Sequence, residues 1–256
     1  MVCLTEVNGT EIKEDYIEIN FTKGIDISKK YIVIHGIDIR KYKNINDYKI
    51  YVKTNDKAKE SVHYIVSDNE IIKLLKDNNR ALHIKDKVTK EINNSNSVSV
   101  SIGLRYGMDA RKVFNNLIEL VNKLRHEYNI PLKNIIRHYD VTGKRCPEEL
   151  MNEFTWHKFK GSLCNLNITK RPIGIANIKE GFNSLIIRKE PSLESNIVVE
   201  VLAQENIYVY EDGEVWIKAV VEDINSMHLG YIKKNILNIE RLTSEMLFKT
   251  YKRNTV

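Results

Sequence analysis

Residues 97–105 alternate without interruption. Val98, Val100, Ile102 and Leu104 fall on one side of an extended chain, and Ser97, Ser99, Ser101, Gly103 and Arg105 on the other. A period of two over that length specifies a strand. The period then changes. Val113, Leu117, Leu120, Val121 and Leu124 recur at helical spacing across 109–128, which gives an amphipathic helix with one apolar stripe. A strand followed so closely by one long helix buries both against a common core, so this part of the chain is neither all-α nor all-β.

The preceding sequence supplies further strands. YIVIH (31–35) is a short run of β-branched residues, the mark of a buried strand. SVHYIV (61–66) reads as a second strand, Ser67–Glu70 as turn chemistry, and Glu70–Leu75 as the returning arm of a hairpin. A weak helical pattern covers Ile45–Val52, and residues 85–97 read as a polar loop. Pro131 ends the helical region, and NIIRHYD supplies a short strand leading into a loop. The expectation is an α/β domain over residues 25–163, closed by Trp156. Residues 1–24 are expected to form an extension with one edge strand near Tyr16–Phe21.

After about residue 165 the pattern changes. SLIIR, NIVVEVL, NIYVYE, VWIKAVV and LGYIKKNIL are β-like runs separated by polar turns such as KEPSLES and EDGE. No long helical pattern intervenes, so residues 175–240 predict a small all-β module. A polar, basic tail begins near Arg241.

Composition narrows the class. The 256 residues are 42% apolar and 29% charged, which excludes disorder over most of the length. No apolar run approaches the roughly 18 residues that a membrane span needs, so no membrane insertion is expected. Acids occupy the opening stretch where a secretory signal carries its apolar region. The expectation is a protein made in the cytoplasm without a signal peptide. The net charge of +6 is spread along the chain, lysines alternating with acids, and no aromatic-basic motif points to nucleic acid. Cys3, Cys146 and Cys164 are too few, and odd in number, for a disulfide framework.

The chemistry concentrates in RHYDVTGKRCP (137–147), which places His138 and Cys146 on one short loop with Lys144 between them. His35 ends the first buried strand. Two imidazoles and a thiolate suit Zn²⁺, and three protein ligands leave a position open for water. By itself, a histidine at a strand end is more often structural than metal-ligating.

The ordered series YIVIH, SVHYIV, NSVSVSIG, EYNI and IIRHYD…K.CP resembles the type-2 N-acetylmuramoyl-L-alanine amidases over residues 28–163, with clostridial autolysins and phage endolysins the nearest in pattern. The resemblance implies a mixed sheet flanked by helices, as in peptidoglycan recognition proteins. It implies zinc held by His35, His138 and Cys146, and Lys144 as the cation beside the developing oxyanion. It implies hydrolysis of the amide between the muramic acid lactyl group and L-alanine, with bacterial peptidoglycan as the partner and the cell wall as the place of action after release. His83 falls where the family has a substrate-groove WH pair, with Leu82 in the tryptophan's place. Asp140 is a candidate for orienting His138 or for capping a turn, and His63 for a buried, hydrogen-bonded imidazole.

One element of the family pattern is missing. The family's general-base glutamate aligns with Ser101, or in a second register with Arg105, and the alternative tyrosine of related phage enzymes aligns with Val62. Asp38 or Asp109 as substitute base, a slow reaction without a strong base, and an amidase-like domain that binds peptidoglycan without cutting it all remain open. The second module resembles bacterial SH3 domains at Leu185, Arg188, Pro191, Trp216, Lys218, Gly230 and Tyr231. That resemblance implies a wall-binding role, with a purely structural or dimerising barrel as the alternative.

Overall fold

The computed structural model describes residues 5–24, 29–38, 40–84, 99–104, 109–202 and 206–242. They form two compact units, divided between Met151 and Asn152.

The first unit contains strands β1 (Glu6–Val7), β2 (Thr10–Glu14), β3 (Phe21–Thr22) and β4 (Tyr31–Gly36), then helix α1 (Ile45–Thr54). Strands β5 (Tyr64–Val66), β6 (Ile71–Lys73), β7 (Arg80–Ala81) and β8 (Ser99–Leu104) follow. Helix α2 (Ala110–Glu127), strand β9 (Ile135–Arg137) and the short helix α3 (His138–Thr142) complete it. Seven strands make one mixed sheet in the order β1-β2-β6-β5-β8-β4-β9, and β3 pairs with β7 separately. Strand β8 lies between β4 and β5, parallel to both.

That central position changes the meaning of the alternation in 97–105. All six residues of β8 are buried, the serines with the aliphatics. A strand paired in parallel on both sides is covered on both faces, so the polar side of this one faces protein. Val98 and Arg105 lie outside the described residues, as does the loop 85–97.

Helix α2 buries Val113, Leu117, Leu120, Val121 and Leu124 completely, the five residues of its apolar stripe. Asp109 starts the helix, its side chain accepting a hydrogen bond from the Lys112 amide at 3.0 Å. Helix α1 packs Ile45, Tyr48 and Val52 against Ile65, Ile72 and Leu74. The amino-terminal segment is part of the sheet rather than an extension. Its main strand is β2, paired in parallel with β6, and residues 16–20, expected to be extended, carry no strand. A five-residue strand reads weakly alone and forms here because β6 presents an edge to it.

The second unit holds helix α4 (Glu153–Leu163) and strands β10 (Gly174–Ile178), β11 (Ser184–Arg188), β12 (Ile197–Leu202), β13 (Asn206–Asp212), β14 (Trp216–Glu222), β15 (Met227–Lys233) and β16 (Leu237–Arg241). They pair antiparallel in the order β12-β11-β15-β14-β13-β10-β16. Leu185, Ile187, Val209, Ile217, Val221 and Ile232 form the core. Gly230 is required where β15 crosses β11, because a Cβ there would sit 2.5 Å from the Arg188 carbonyl oxygen. Helix α4 groups with these strands and not with the first unit. Two contacts explain it. The His157 ring lies 3.9 Å from that of Tyr208, and Lys160 forms a buried ion pair with Glu222. Trp156 stacks on Phe159 within the same helix.

Candidate active site

His35, the fifth residue of β4, is buried and pairs in register with Gly103 of β8. His138 opens α3, directly after β9, which pairs with β4 on its other side. Cys146 returns on the loop after α3, its carbonyl accepting from the Tyr139 amide at 2.9 Å. Adjacent strand ends and this loop closure bring the three residues together, with one donor atom of each within 4.8 Å of the others. The Gly36 amide donates to Cys146 Sγ at 3.3 Å. Two imidazoles and a sulfur suit a borderline-soft divalent metal such as Zn²⁺.

Electrostatics keep His35 in the neutral form. Burial, then the neighbouring His138 and Lys144, holds His35 well below the ordinary imidazole range. A neutral ring is the form that binds a metal. His83 supports His35 from behind. Its Nδ1 lies 2.9 Å from His35 Nε2, and its Nε2 lies 2.8 Å from Ser99 Oγ. His83 lines the cleft, as expected of a substrate contact, but both ring nitrogens face other protein groups.

Of the two roles expected for Asp140, the structure shows the capping one. Its carboxylate accepts from the Arg137 amide at 2.8 Å and from the Arg137 guanidinium at 2.9 and 3.1 Å. It caps α3 and anchors Arg137 rather than bonding to the His138 ring. The reason is geometric, since Asp140 is the third residue of a helix whose first amides need an acceptor. The loop expected after the strand is this short helix.

Ser101 does not face the cleft. Its hydroxyl lies 3.1 Å from His63 Nδ1, and the His63 ring contacts the Asn79 carbonyl at 3.0 Å on its other side. His63 is thus the buried, hydrogen-bonded imidazole that the sequence suggested. Arg105 lies outside the described residues. Asp109 is committed to capping α2.

The cleft over the cluster is lined on one side by the three donors His35, His138 and Cys146 with His83 and Lys144. Asp38, Lys41, Tyr42, Tyr48 and Glu60 also line it. Lys144 is exposed at its edge. Tyr42 and Glu60 escaped the sequence reading. The signal was present in KESVHY, a carboxylate immediately before the hairpin strand.

Residues 26–149 match the family model described as N-acetylmuramoyl-L-alanine amidase. That match lies within the first unit. Over 151 residues the chain is 29% identical to N-acetylmuramoyl-L-alanine amidase CwlH of Bacillus subtilis (strain 168), covering 58% of this chain and 59% of that protein. It is 28% identical over 170 residues to CwlA of a Bacillus species, covering 61% and 64%. The chain thus spans about three fifths of the length of these relatives. The solved catalytic domain of XlyA superposes with a TM-score of 0.52 at 27% identity, covering 60% of this chain and 99% of that one. A mutant endolysin from Bacillus subtilis superposes equally well. The first unit has the expected mixed sheet with flanking helices.

Proposed function

We propose that this protein is a zinc-dependent peptidoglycan amidase that cleaves the bond between N-acetylmuramic acid and L-alanine. The observation that carries the reading is the meeting of His35, His138 and Cys146 at the base of an open cleft in an amidase-type domain. These three residues would hold the metal, which supplies a Lewis acid for the carbonyl and an acidified water. Lys144, in the same cleft, is the cation placed for the oxyanion of the tetrahedral intermediate. The second unit, mostly strands, acts in this reading as an SH3-like module that holds the enzyme on the wall and raises its local concentration.

One observation favours a second reading, a peptidoglycan binder without hydrolysis. The strand that carries the family's base offers Ser101, which is turned to His63.

Wall digestion separates the two. The purified protein is expected to bind about one Zn²⁺ and to release new L-alanine amino termini from Gram-positive walls. Cys146→Ala is expected to lose the metal. Lys144→Ala is expected to keep it and to lose roughly 10²–10³-fold in kcat. Sedimentation with walls without release of amino termini identifies the binder, and absence of metal at neutral pH overturns the site.

A further inference from the structure

Hydrolysis of an amide needs a group that takes the proton of the attacking water. Ser101 is buried against His63, and Asp109 caps α2. Among the described residues, Asp38 and Glu60 are the carboxylates lining the cleft. Their settings differ. The Asp38 side chain is 46% exposed and is held by the Arg40 side chain at 3.1 Å and the Arg40 amide at 2.9 Å. Those bonds keep its carboxyl below the usual range, which weakens it as a base.

Glu60 is 25% exposed and sits immediately ahead of the hairpin that carries β5. The Tyr42 hydroxyl donates to its Oε1 at 2.7 Å, and Lys41 donates to the same oxygen at 3.4 Å. Burial and the bond to Glu60 raise the Tyr42 phenol far above its ordinary range, so it stays a donor. The backbone beside Glu60 is stitched to the metal-ligating side. The Ser61 amide donates to the Leu82 carbonyl at 3.1 Å, and the Leu82 amide donates to Ser61 Oγ at 2.9 Å. The next residue is His83, which meets His35 at 2.9 Å. Glu60 is therefore carried on the same hydrogen-bonded frame as the candidate ligand His35.

We propose that Glu60 is the general base of the hydrolysis, standing in for the carboxylate that β8 lacks. This inference rests on the amidase reading. The water oxygen attacks the lactyl carbonyl carbon, and its proton passes to the Glu60 carboxylate. The carbon–nitrogen bond then breaks, and the same proton goes to the leaving nitrogen. The products are the muramic carboxylic acid and the free amino group of L-alanine, and Glu60 is regenerated.

The test uses the full chain. Glu60→Gln is expected to lose roughly 10²–10⁴-fold in kcat while zinc content and sedimentation with walls stay as in the parent. Formate added to Glu60→Ala is expected to restore part of the rate. Tyr42→Phe, which keeps the carboxylate but removes its donor, and Asp38→Asn are each expected to lose less. Full activity in Glu60→Gln, or no formate rescue, overturns the inference. So does an equal loss in Tyr42→Phe, which makes Glu60 an anchor only, or a larger loss in Asp38→Asn, which moves the base there. An active parent with an unimpaired Glu60→Gln overturns this inference alone. A parent that releases no amino termini overturns the amidase reading as well.

Discussion

His83 Nδ1 lies 2.9 Å from His35 Nε2, and the far side of the His83 ring is fixed by Ser99 at 2.8 Å. A ligand imidazole whose second nitrogen is engaged has its tautomer and orientation set before the metal arrives. His83→Ala is therefore expected to weaken zinc affinity by roughly 10–100-fold. A competition titration against a chromophoric chelator measures it, and unchanged affinity would show that His83 does not orient the ligand.

Ser101→Glu restores the family's residue by sequence but not by place. Ser101 is fully buried and bonded to His63, so a carboxylate there is desolvated beside a neutral ring. The variant is expected to lose about 2–4 kcal/mol of stability and to gain no activity. Urea unfolding and wall digestion on the same preparation decide the point. A faster enzyme would mean that the side chain reaches the cleft after all.

Stability should fall in mild acid. Burial, followed by the charge of Lys29, holds His63 down at about 4, against 6.5 for a free imidazole. Between those values the unfolded chain binds a proton that the folded one refuses, so stability is lost as pH falls from about 6.5 toward about 4. The loss from this residue reaches up to about 3 kcal/mol. In the second unit His157 is held down at about 3, by burial and then Lys160, and acts in the same direction. Both tryptophans, Trp156 and Trp216, belong to the second unit. Tryptophan fluorescence therefore follows that unit, and helical circular dichroism, dominated by α2, follows the first. Urea midpoints of the metal-free protein that do not move over this range would refute the assignment.

Leu117, fully buried on the inner face of α2, tests the packing. Leu117→Ala is expected to cost about 2–5 kcal/mol. Lys112→Ala, on the exposed side of the same helix, is expected to stay within about 0.5 kcal/mol. Equal effects would place the stripe elsewhere.

Local periodicity made much of this protein readable in its sequence. The strand of 31–35, the long helix with its five apolar residues, five of the seven strands of the second unit, and the three donor residues His35, His138 and Cys146 follow from spacing and residue chemistry, with family resemblance joining the donors. Partner choice was not readable in the same way. Whether the serine side of β8 faces water or His63 depends on which strands flank it. Whether Asp140 serves His138 or Arg137 depends on a helical turn only five residues long. The allegiance of α4 depends on Tyr208 and Glu222, far along the chain. Glu60 stood before the hairpin strand in the sequence, but only the fold placed it in the cleft with Tyr42 beside it. Periodicity is a property of neighbouring residues. Hydrogen-bond partners and burial belong to groups brought together from distant parts of the chain, so the tertiary structure alone selects them.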